Sequence, residues 1–172
     1  MAPDLVSSFA VRLRDLLSTL EATTILGAAE VRMRGLGEQL QFACLALPCD
    51  EALVALELAS LGRLTVPGVA SADGWRAAEL EFLPSGTPFA YLLGGGSGYG
   101  AELEDGDEML AVLASVLSSK PHHVILVPVR AGGNVVGGAA LLSEQRPLGD
   151  AQLTMAERLG EVLSLTLEAH RT

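Results

Sequence analysis

The stretch Val124–Ser143, VILVPVRAGGNVVGGAALLS, decides the fold class of this 172-residue chain. Val124–Arg130 is a run of mostly β-branched and apolar residues, which predicts a buried strand. Ala131–Asn134 contains the glycines and asparagine that tight hairpin loops use, so we expect a four-residue loop there, and Val135–Leu142 supplies the partner strand. Two glycines inside that partner leave room for another element to approach the sheet closely. The stretch therefore predicts an antiparallel β-hairpin.

Helical patterns lie on both sides of this hairpin. Asp150 caps a predicted helix that runs to about His170, and Asp107 caps a helix whose apolar side extends to Leu117. Thr87 begins a short helix with proline at its first position. We expect this helix to end at Gly94 in the left-handed backbone conformation.

The first forty residues carry an amphipathic pattern. Apolar residues recur at steps of three and four, with Arg12, Arg14 and Asp15 on the other side. The apolar residues are Leu5, Phe9, Leu13, Leu16, Leu17 and Leu20. The pattern continues less regularly through Ile25, Leu26, Ala29, Met33, Leu36 and Leu40, and the glycines at 27, 35 and 37 predict a break within it.

The period changes after residue 40. Gln41–Leu47 is predicted to be a strand. Ala52–Ala59 is a second strand or a short helix: its composition favours a helix, but the turn that joins it directly to the first strand favours a strand. Thr65–Gly74 contains proline and glycine and is predicted to be a loop. Ala78–Leu83 is predicted to be an edge strand.

The glycine-rich stretch Leu93–Glu102, LGGGSGYGAE, formally fits a dinucleotide-binding fingerprint. That fingerprint requires a strand before the glycines and a helix after them, whereas here the predicted helix comes first. The acidic residues that follow, from Glu102 to Glu108, would repel a phosphate. We therefore interpret the run as a hinge in which Tyr99 is the large side chain, and not as a phosphate site.

The bulk composition excludes several classes of protein. A net charge of −10 and 4% aromatic residues argue against a nucleic-acid partner, which requires a cationic surface. No apolar run has the length of a membrane span, and charges come too early for a secretory signal peptide. We expect a cytoplasmic protein with no membrane partner.

No catalytic or metal-binding constellation is evident in the sequence. Cys44 and Cys49 are expected to be reduced thiols on a strand, and His122 and His123 would point in opposite directions there. The acidic run lacks the ligand spacing of an EF-hand loop. We expect no metal and no cofactor.

Three stretches together resemble a GAF domain, the small-molecule-sensing module of signalling proteins. They are VILVPVRAGGNVVGGAALLS, RPLGDAQLTMAERLGEVLSLTLEA and SGTPFAYLLGGGSGYGAEL. The resemblance implies one α+β domain over residues 1–172, with leading helices in 1–40, a sheet with inserted short helices in 41–142 and a closing helix in 150–170. It implies a central antiparallel sheet of five or six strands in a GAF/PAS-like architecture. The terminal helices would pack on one face, and loops with short helices would cover a pocket on the other.

The resemblance also implies candidate site residues. Terminal helices in such domains often pair two subunits, which makes Leu13, Leu16 and Leu20 candidate dimer contacts. The aromatic residues of the middle segment would lie around the pocket, and we take Trp75, Tyr91 and Tyr99 as candidate ligand-binding residues. The chain departs from cyclic-nucleotide-binding members, because it lacks their Asn-Lys-Phe-Asp-Glu constellation. It departs from bilin-binding members, because neither cysteine lies beside a histidine.

These observations favour a non-enzymatic regulatory or sensory module of bacterial signal transduction. Such a module would form a homodimer and bind a small ligand or a signalling protein. Two alternatives stay open: a thiol-based reductase of the same fold that uses Cys44 or Cys49, and a dimerisation scaffold without a ligand.

Overall fold

A computed structural model describes residues 35–47, 49–57, 62–145 and 147–169 of the chain. The described part contains four helices and six strands. In chain order they are α1 (residues 35–46), β1 (Glu51–Glu57), β2 (Leu64–Ser71), β3 (Gly74–Phe82), α2 (Pro88–Leu93), β4 (Tyr99–Glu102), α3 (Glu108–Leu113), β5 (His123–Ala131), β6 (Asn134–Ser143) and α4 (Asp150–Ala169).

The six strands form one antiparallel sheet in the order β3-β2-β1-β6-β5-β4. β1 and β6 lie at its centre, where nearly every residue is buried. Helices cover both faces, which explains why these strands read as continuous apolar runs and not as alternating ones. The predicted α+β architecture with five or six antiparallel strands is confirmed.

Each face of the sheet has its own apolar core. α1 and α4 pack on one face, where Leu36, Leu40 and Leu163 lie against side chains of β1 and β5. α2 and α3 pack on the other face through Phe89 and Met109. α1 and α4 thus lie on one face and the short inserted helices on the other, as the resemblance implied.

The turn of the β5–β6 hairpin is shorter than predicted. Ala131 pairs with Asn134, so that Gly132 and Gly133 alone form the turn, with φ values of 60° and 83°. Two consecutive residues with positive φ match the right-handed twist of the flanking strands, and glycine adopts this conformation without strain. The predicted four-residue loop is therefore a two-residue turn.

The predicted strand Gln41–Leu47 is wrong, because these residues continue α1. Ala43, Cys44 and Leu47 are buried, whereas Phe42 and Leu45 are exposed. This burial extends the spacing of Leu36 and Leu40, which is helical and not alternating. An almost uninterrupted apolar stretch hides the helical period from sequence inspection.

The predicted loop Thr65–Gly74 is also wrong, because most of it belongs to β2. Pro67 lies between the paired residues Val66 and Gly68, where the register with β3 shifts. An irregularity of this kind accommodates a proline that lacks the N–H of a regular ladder. β2 is otherwise buried along its length.

Two helix ends differ in detail from the prediction. At the end of α2, Gly94 has a φ of −78°, and Gly95 takes the left-handed conformation with a φ of 98°. α3 is capped by Asp107, which accepts a hydrogen bond from the Met109 N–H at 2.9 Å, but it ends at Leu113 and not near Leu117. Within the described residues, no helix is long and apolar enough to cross a membrane.

Candidate functional site

A groove of about 430 Å³ lies between α1 and α4, on the side of the helices away from the sheet. Its walls are mostly apolar, and the charged Glu38 and Arg158 are among its lining residues. The apolar walls come from Phe42, Ala43, Leu47, Met155, Leu159 and Val162. Phe42 is 68% exposed, and Met155 and Val162 are nearly half exposed. Contiguous exposed apolar surface of this kind marks a site of association.

Tyr91 and Tyr99, two of the candidate ligand-binding residues, are brought together. Their ring centroids are 5.6 Å apart, and the rings meet edge to face at 77°. Tyr91 projects from α2 and is 54% exposed, whereas Tyr99 begins β4 and is half-buried. Burial raises the pKa of Tyr99, with smaller contributions from Tyr91 and Asp107, so its phenol stays protonated at neutral pH.

Trp75, the third candidate, lies on the opposite face of the sheet. Its indole packs against the cluster beneath α1 and α4. A Cβ atom at Gly37 of α1 would come within 2.9 Å of the indole, and Gly68 of β2 lies against the same ring. The grouping of Trp75 with the two tyrosines around one pocket is therefore wrong. Its indole joins α1 to the edge of the sheet.

The face of the sheet beneath α2 and α3 is filled with side chains. Phe89, Leu92, Met109 and Leu113 are fully buried there. Phe89 also meets Phe82 of β3, with ring centroids 5.7 Å apart. A small molecule would have to displace these side chains to reach the sheet.

The glycine-rich stretch after α2 is a packed connection. Gly96 lies under the ring of Tyr91, and a Cβ atom added at Gly96 would lie about 2.5 Å from Cδ2 of that ring. Gly98 lies against Val127. These positions are glycine because neighbouring side chains and backbone occupy the space of a Cβ atom. This packing supports the sequence argument against a phosphate cradle.

Comparison with solved structures identifies the fold. The GAF-B domain of DevS from Mycobacterium smegmatis is 17% identical, with a TM-score of 0.61 over 78% of this chain and 91% of that chain. A red/green cyanobacteriochrome in its red light-absorbing state is 16% identical, with a TM-score of 0.60 over 77% and 90%. The chain has the fold of a GAF domain. No family model matches it, and no curated protein matches it.

An enzyme is also among the solved structures that this chain resembles. A type II free methionine-R-sulfoxide reductase from Thermoplasma acidophilum is 15% identical, with a TM-score of 0.55 over 80% of this chain and 94% of that chain. Likeness at this level of identity extends to the fold alone. The thiols of this chain therefore have to be judged from their own surroundings.

Cys44 and Cys49 of this chain are both free and buried. Cys44 lies in α1, contrary to the predicted strand, and Cys49 lies two residues before the start of β1. They are 3% and 5% exposed, and Cys44 Sγ donates to the Ala70 carbonyl at 3.6 Å. The neighbouring Cys49 side chain and burial raise the pKa of Cys44 far above its ordinary value, whereas the Cys44 side chain lowers the pKa of Cys49. The Cys44 thiol therefore stays protonated, and burial keeps both thiols away from a substrate.

We expect both thiols to resist an aqueous disulfide reagent until the domain unfolds. Labelling of the native chain should be at least about 100-fold slower than labelling in denaturant, because reaction requires opening of the structure. The control is Leu45→Cys, which places an exposed thiol beside Cys44 and should react rapidly. Mass spectrometry measures the rate of labelling. Fast labelling of the unmodified chain would contradict this prediction.

α4 covers the part of β5 that has no partner strand on its outer side. β4 pairs only with His123–Leu126. Beyond them, Arg130 N–H donates to Ser164 Oγ at 2.8 Å, and Gly132 N–H donates to Glu168 Oε1 at 2.6 Å. Hydrogen-bond donors on an open edge invite a further strand. The helix therefore closes this edge of the sheet with its own side chains.

Replacing Ser164 by alanine should destabilise the chain by about 1 kcal/mol and expose the Arg130 amide to hydrogen exchange. Urea unfolding and amide exchange measure the two effects. Thr154→Ala is the matched control, since Thr154 Oγ donates to a helix carbonyl at 3.1 Å, as Ser164 does at 2.7 Å. Unchanged protection of Arg130 in the Ser164 variant would show that the serine does not close the edge.

Sequence reasoning missed the groove between α1 and α4. The sequence predicts Phe42 on a strand, and the apolar helical pattern through Leu36 and Leu40 is not extended past residue 40. The signal was present as the spacing Leu36, Leu40, Ala43 and Leu47, which buries one side and leaves Phe42 on the other. The predicted dimer contacts Leu13, Leu16 and Leu20 lie outside the described residues, and their role stays a prediction.

Proposed function

We propose that this chain is a non-enzymatic regulatory module of a signalling protein, which forms a homodimer through its terminal helices. The observation that carries the proposal is the apolar groove between α1 and α4, whose lining side chains Phe42, Met155 and Val162 are left open to solvent. Burying such side chains between two copies stabilises association by about 25 cal/mol for each Å² removed from water. Solved structures with the same fold include a cyanobacteriochrome receptor and a domain of a two-component sensor histidine kinase, which further supports the proposal.

The arrangement of the helices suits the transmission of a signal. Gly35, at the start of described α1, lies beside Thr166 near the end of α4, and Gln39 Nε2 donates to Thr166 Oγ1 at 2.6 Å. At the other end of α1, Ala46 and Leu47 share the groove with Met155. The two helices are therefore antiparallel. A change in their packing at a dimer contact would affect the chain where it enters α1 and where it leaves α4.

A protein fits this structure better as a binding partner than an enclosed small molecule does. The face of the sheet that would hold a ligand is filled by Phe89, Leu92, Met109 and Leu113. Ligand pockets in proteins are concave and largely preformed. A ligand at Tyr91 and Tyr99 would therefore bind at the surface, and native mass spectrometry of the purified chain detects whether one is retained.

The dimer is tested by substitution on α4. We expect Val162→Glu to weaken a micromolar dimer by at least about tenfold, because a carboxylate would be buried in an apolar contact. The control is Leu83→Glu, which changes an exposed leucine outside the groove in the same way. Sedimentation equilibrium and native mass spectrometry measure the effect. A strict monomer at micromolar concentration contradicts the proposal, and so does equal weakening by both variants.

The enzymatic alternative is tested at the thiols. Reduction of free methionine sulfoxide by the purified chain, lost when Cys44 and Cys49 are both replaced by serine, would make the chain a reductase. We expect no such activity, because both thiols are buried.

A further inference from the structure

We infer that the groove between α1 and α4 takes residues 5–20 of a second copy of this chain, so that two copies exchange their N-terminal segments. This inference rests on the dimer proposed above and names the surface that holds it. The same segment on its own chain and two grooves packed face to face are the competing arrangements.

The segment matches the groove in length and in character. A sixteen-residue helix is about 24 Å long, against about 18 Å for the described part of α1 and about 30 Å for α4. Its apolar residues repeat at steps of three and four, which predicts one continuous stripe. An amphipathic helix of this kind binds with its stripe in an apolar groove between two other helices.

Charge favours this segment over a second groove. Residues 1–34 contain four basic and four acidic side chains, whereas residues 35–172 contain seven basic and seventeen acidic ones. α1 and α4 themselves carry five acidic side chains and one basic one, a net charge of −4, whereas residues 5–20 carry two arginines and one aspartate, a net charge of +1. Two such pairs of acidic helices packed directly together would repel each other. The segment carries Arg12 and Arg14 outside its stripe, where they can meet acids such as Glu38.

A polar atom at the groove also lacks a partner. Gln39 lines the groove, and its Nε2 donates to Thr166 Oγ1. Its Oε1 is buried and accepts no hydrogen bond from any described residue. A buried acceptor without a donor is costly, and on the predicted helix Arg12 and Thr19 flank the apolar stripe and carry donors.

The direction of α1 favours a second copy over the same chain. Three glycines predicted a break between residues 20 and 40, but two of them, Gly35 and Gly37, lie inside α1. Gly37 makes room for the Trp75 indole, so it serves packing and not a break. The apolar period continues upstream from Leu36 through Met33, Ala29 and Leu26. This period predicts a helix that extends α1 upstream, and such a helix would carry residues 5–20 away from their own groove.

The test places a photo-cross-linking amino acid, p-benzoylphenylalanine, at Phe42 in the full chain. The control places it at Tyr91, an exposed aromatic residue on the other face. Chains with and without ¹⁵N label are mixed, irradiated and digested, and cross-linked peptides are identified by mass spectrometry. We expect a mixed-label product of dimer mass that joins position 42 to residues 5–20, and no such product from position 91.

The other outcomes separate this inference from the proposed function. Cross-links to residues 5–20 within monomer-mass chains overturn it in favour of the same chain. Mixed-label cross-links to α1 or α4 overturn the inference in favour of facing grooves, and they leave the proposed dimer intact. A dimer that gives no cross-links from position 42 also overturns the inference and leaves the proposed dimer intact. A chain that stays monomeric at micromolar concentration overturns both.

A second pair of variants gives an independent readout. Leu13→Glu with Leu16→Glu should weaken the dimer by at least about 100-fold, because two leucines of the stripe lose their burial. Val11→Glu with Ser18→Glu adds the same charge on the opposite side of the predicted helix and should leave both the dimer and the cross-link unchanged. Equal effects of the two pairs would overturn the inference.

Discussion

Replacing Gly137 by alanine is expected to lower the free energy of unfolding by about 3 kcal/mol or more. Gly137 lies in β6 between Leu56 of β1 and Val129 of β5. A Cβ atom there would overlap the Ala55 carbonyl oxygen and lie 2.9 Å from both the Ala55 carbonyl carbon and the Leu56 Cα. All three are backbone atoms of a central strand, so no side-chain rotation relieves the overlap. β1 itself would have to move.

Gly100→Ala is the matched control for this prediction. Gly100 also lies in a strand, but a Cβ atom there would come no closer than 3.5 Å to its neighbours. We expect its effect to stay within about 1 kcal/mol, since the loss of chain entropy in the unfolded state favours alanine. Urea unfolding of both variants at pH 7 decides the matter. Similar losses in the two variants would show that the close approach at Gly137 is not the cause.

The hairpin was predictable because its signals are local. The β-branched residues of Val124–Arg130 define a strand, and consecutive glycines define its turn. The paired glycines of β6 correctly indicated a close approach, at Gly137 by the backbone of β1 and at Gly138 by Leu92 of α2. Only the number of loop residues was misjudged, since pairing of Ala131 with Asn134 depends on the final register.

The errors occurred where long-range packing decides the structure. Pro67 and Gly68 read as a loop, yet a register shift accommodates the proline, and the glycine makes room for Trp75 of the next strand. The face on which Trp75 lies depends on strand register, and a shift of one residue reverses it. The sequence therefore shows that these aromatic residues lie near one another along the chain. It does not show on which face of the sheet each side chain lies.

The network around Glu51 is another feature without a local signal in the sequence. This residue begins β1 and is only 3% exposed. Its carboxylate accepts hydrogen bonds from Arg76 at 2.8 Å, from the N–H groups of Ser118 and Ser119 at 3.0 Å and 2.8 Å, and from Ser119 Oγ at 2.5 Å. Arg76 also donates to the Val116 carbonyl. One buried carboxylate thus joins two strands to the segment between α3 and β5.

Glu51→Gln should destabilise the chain by about 3 kcal/mol at pH 7. The amide keeps the size of the side chain, but it removes the charge that faces Arg76 and turns an N–H₂ group toward other donors. Loss of one partner of a buried charged network leaves the remaining donors unpaired. The control is Glu57→Gln at the exposed end of the same strand, for which we expect little change. Urea unfolding of both variants measures the difference.

The pH dependence of that difference tests the charge itself. Burial alone raises the pKa of Glu51, but the hydrogen bonds from Ser119, Arg76 and Ser118 together outweigh it, so the pKa falls below its ordinary value of 4.5. A carboxyl with a lower pKa in the folded state contributes stability that is complete above pH 4.5 and is lost as the pH falls toward the folded-state pKa. The gap in stability between the unmodified chain and Glu51→Gln should therefore be constant above pH 5.5 and narrow below pH 4.5. A gap that stays the same down to pH 3 would mean that Glu51 acts through its shape and not through its charge.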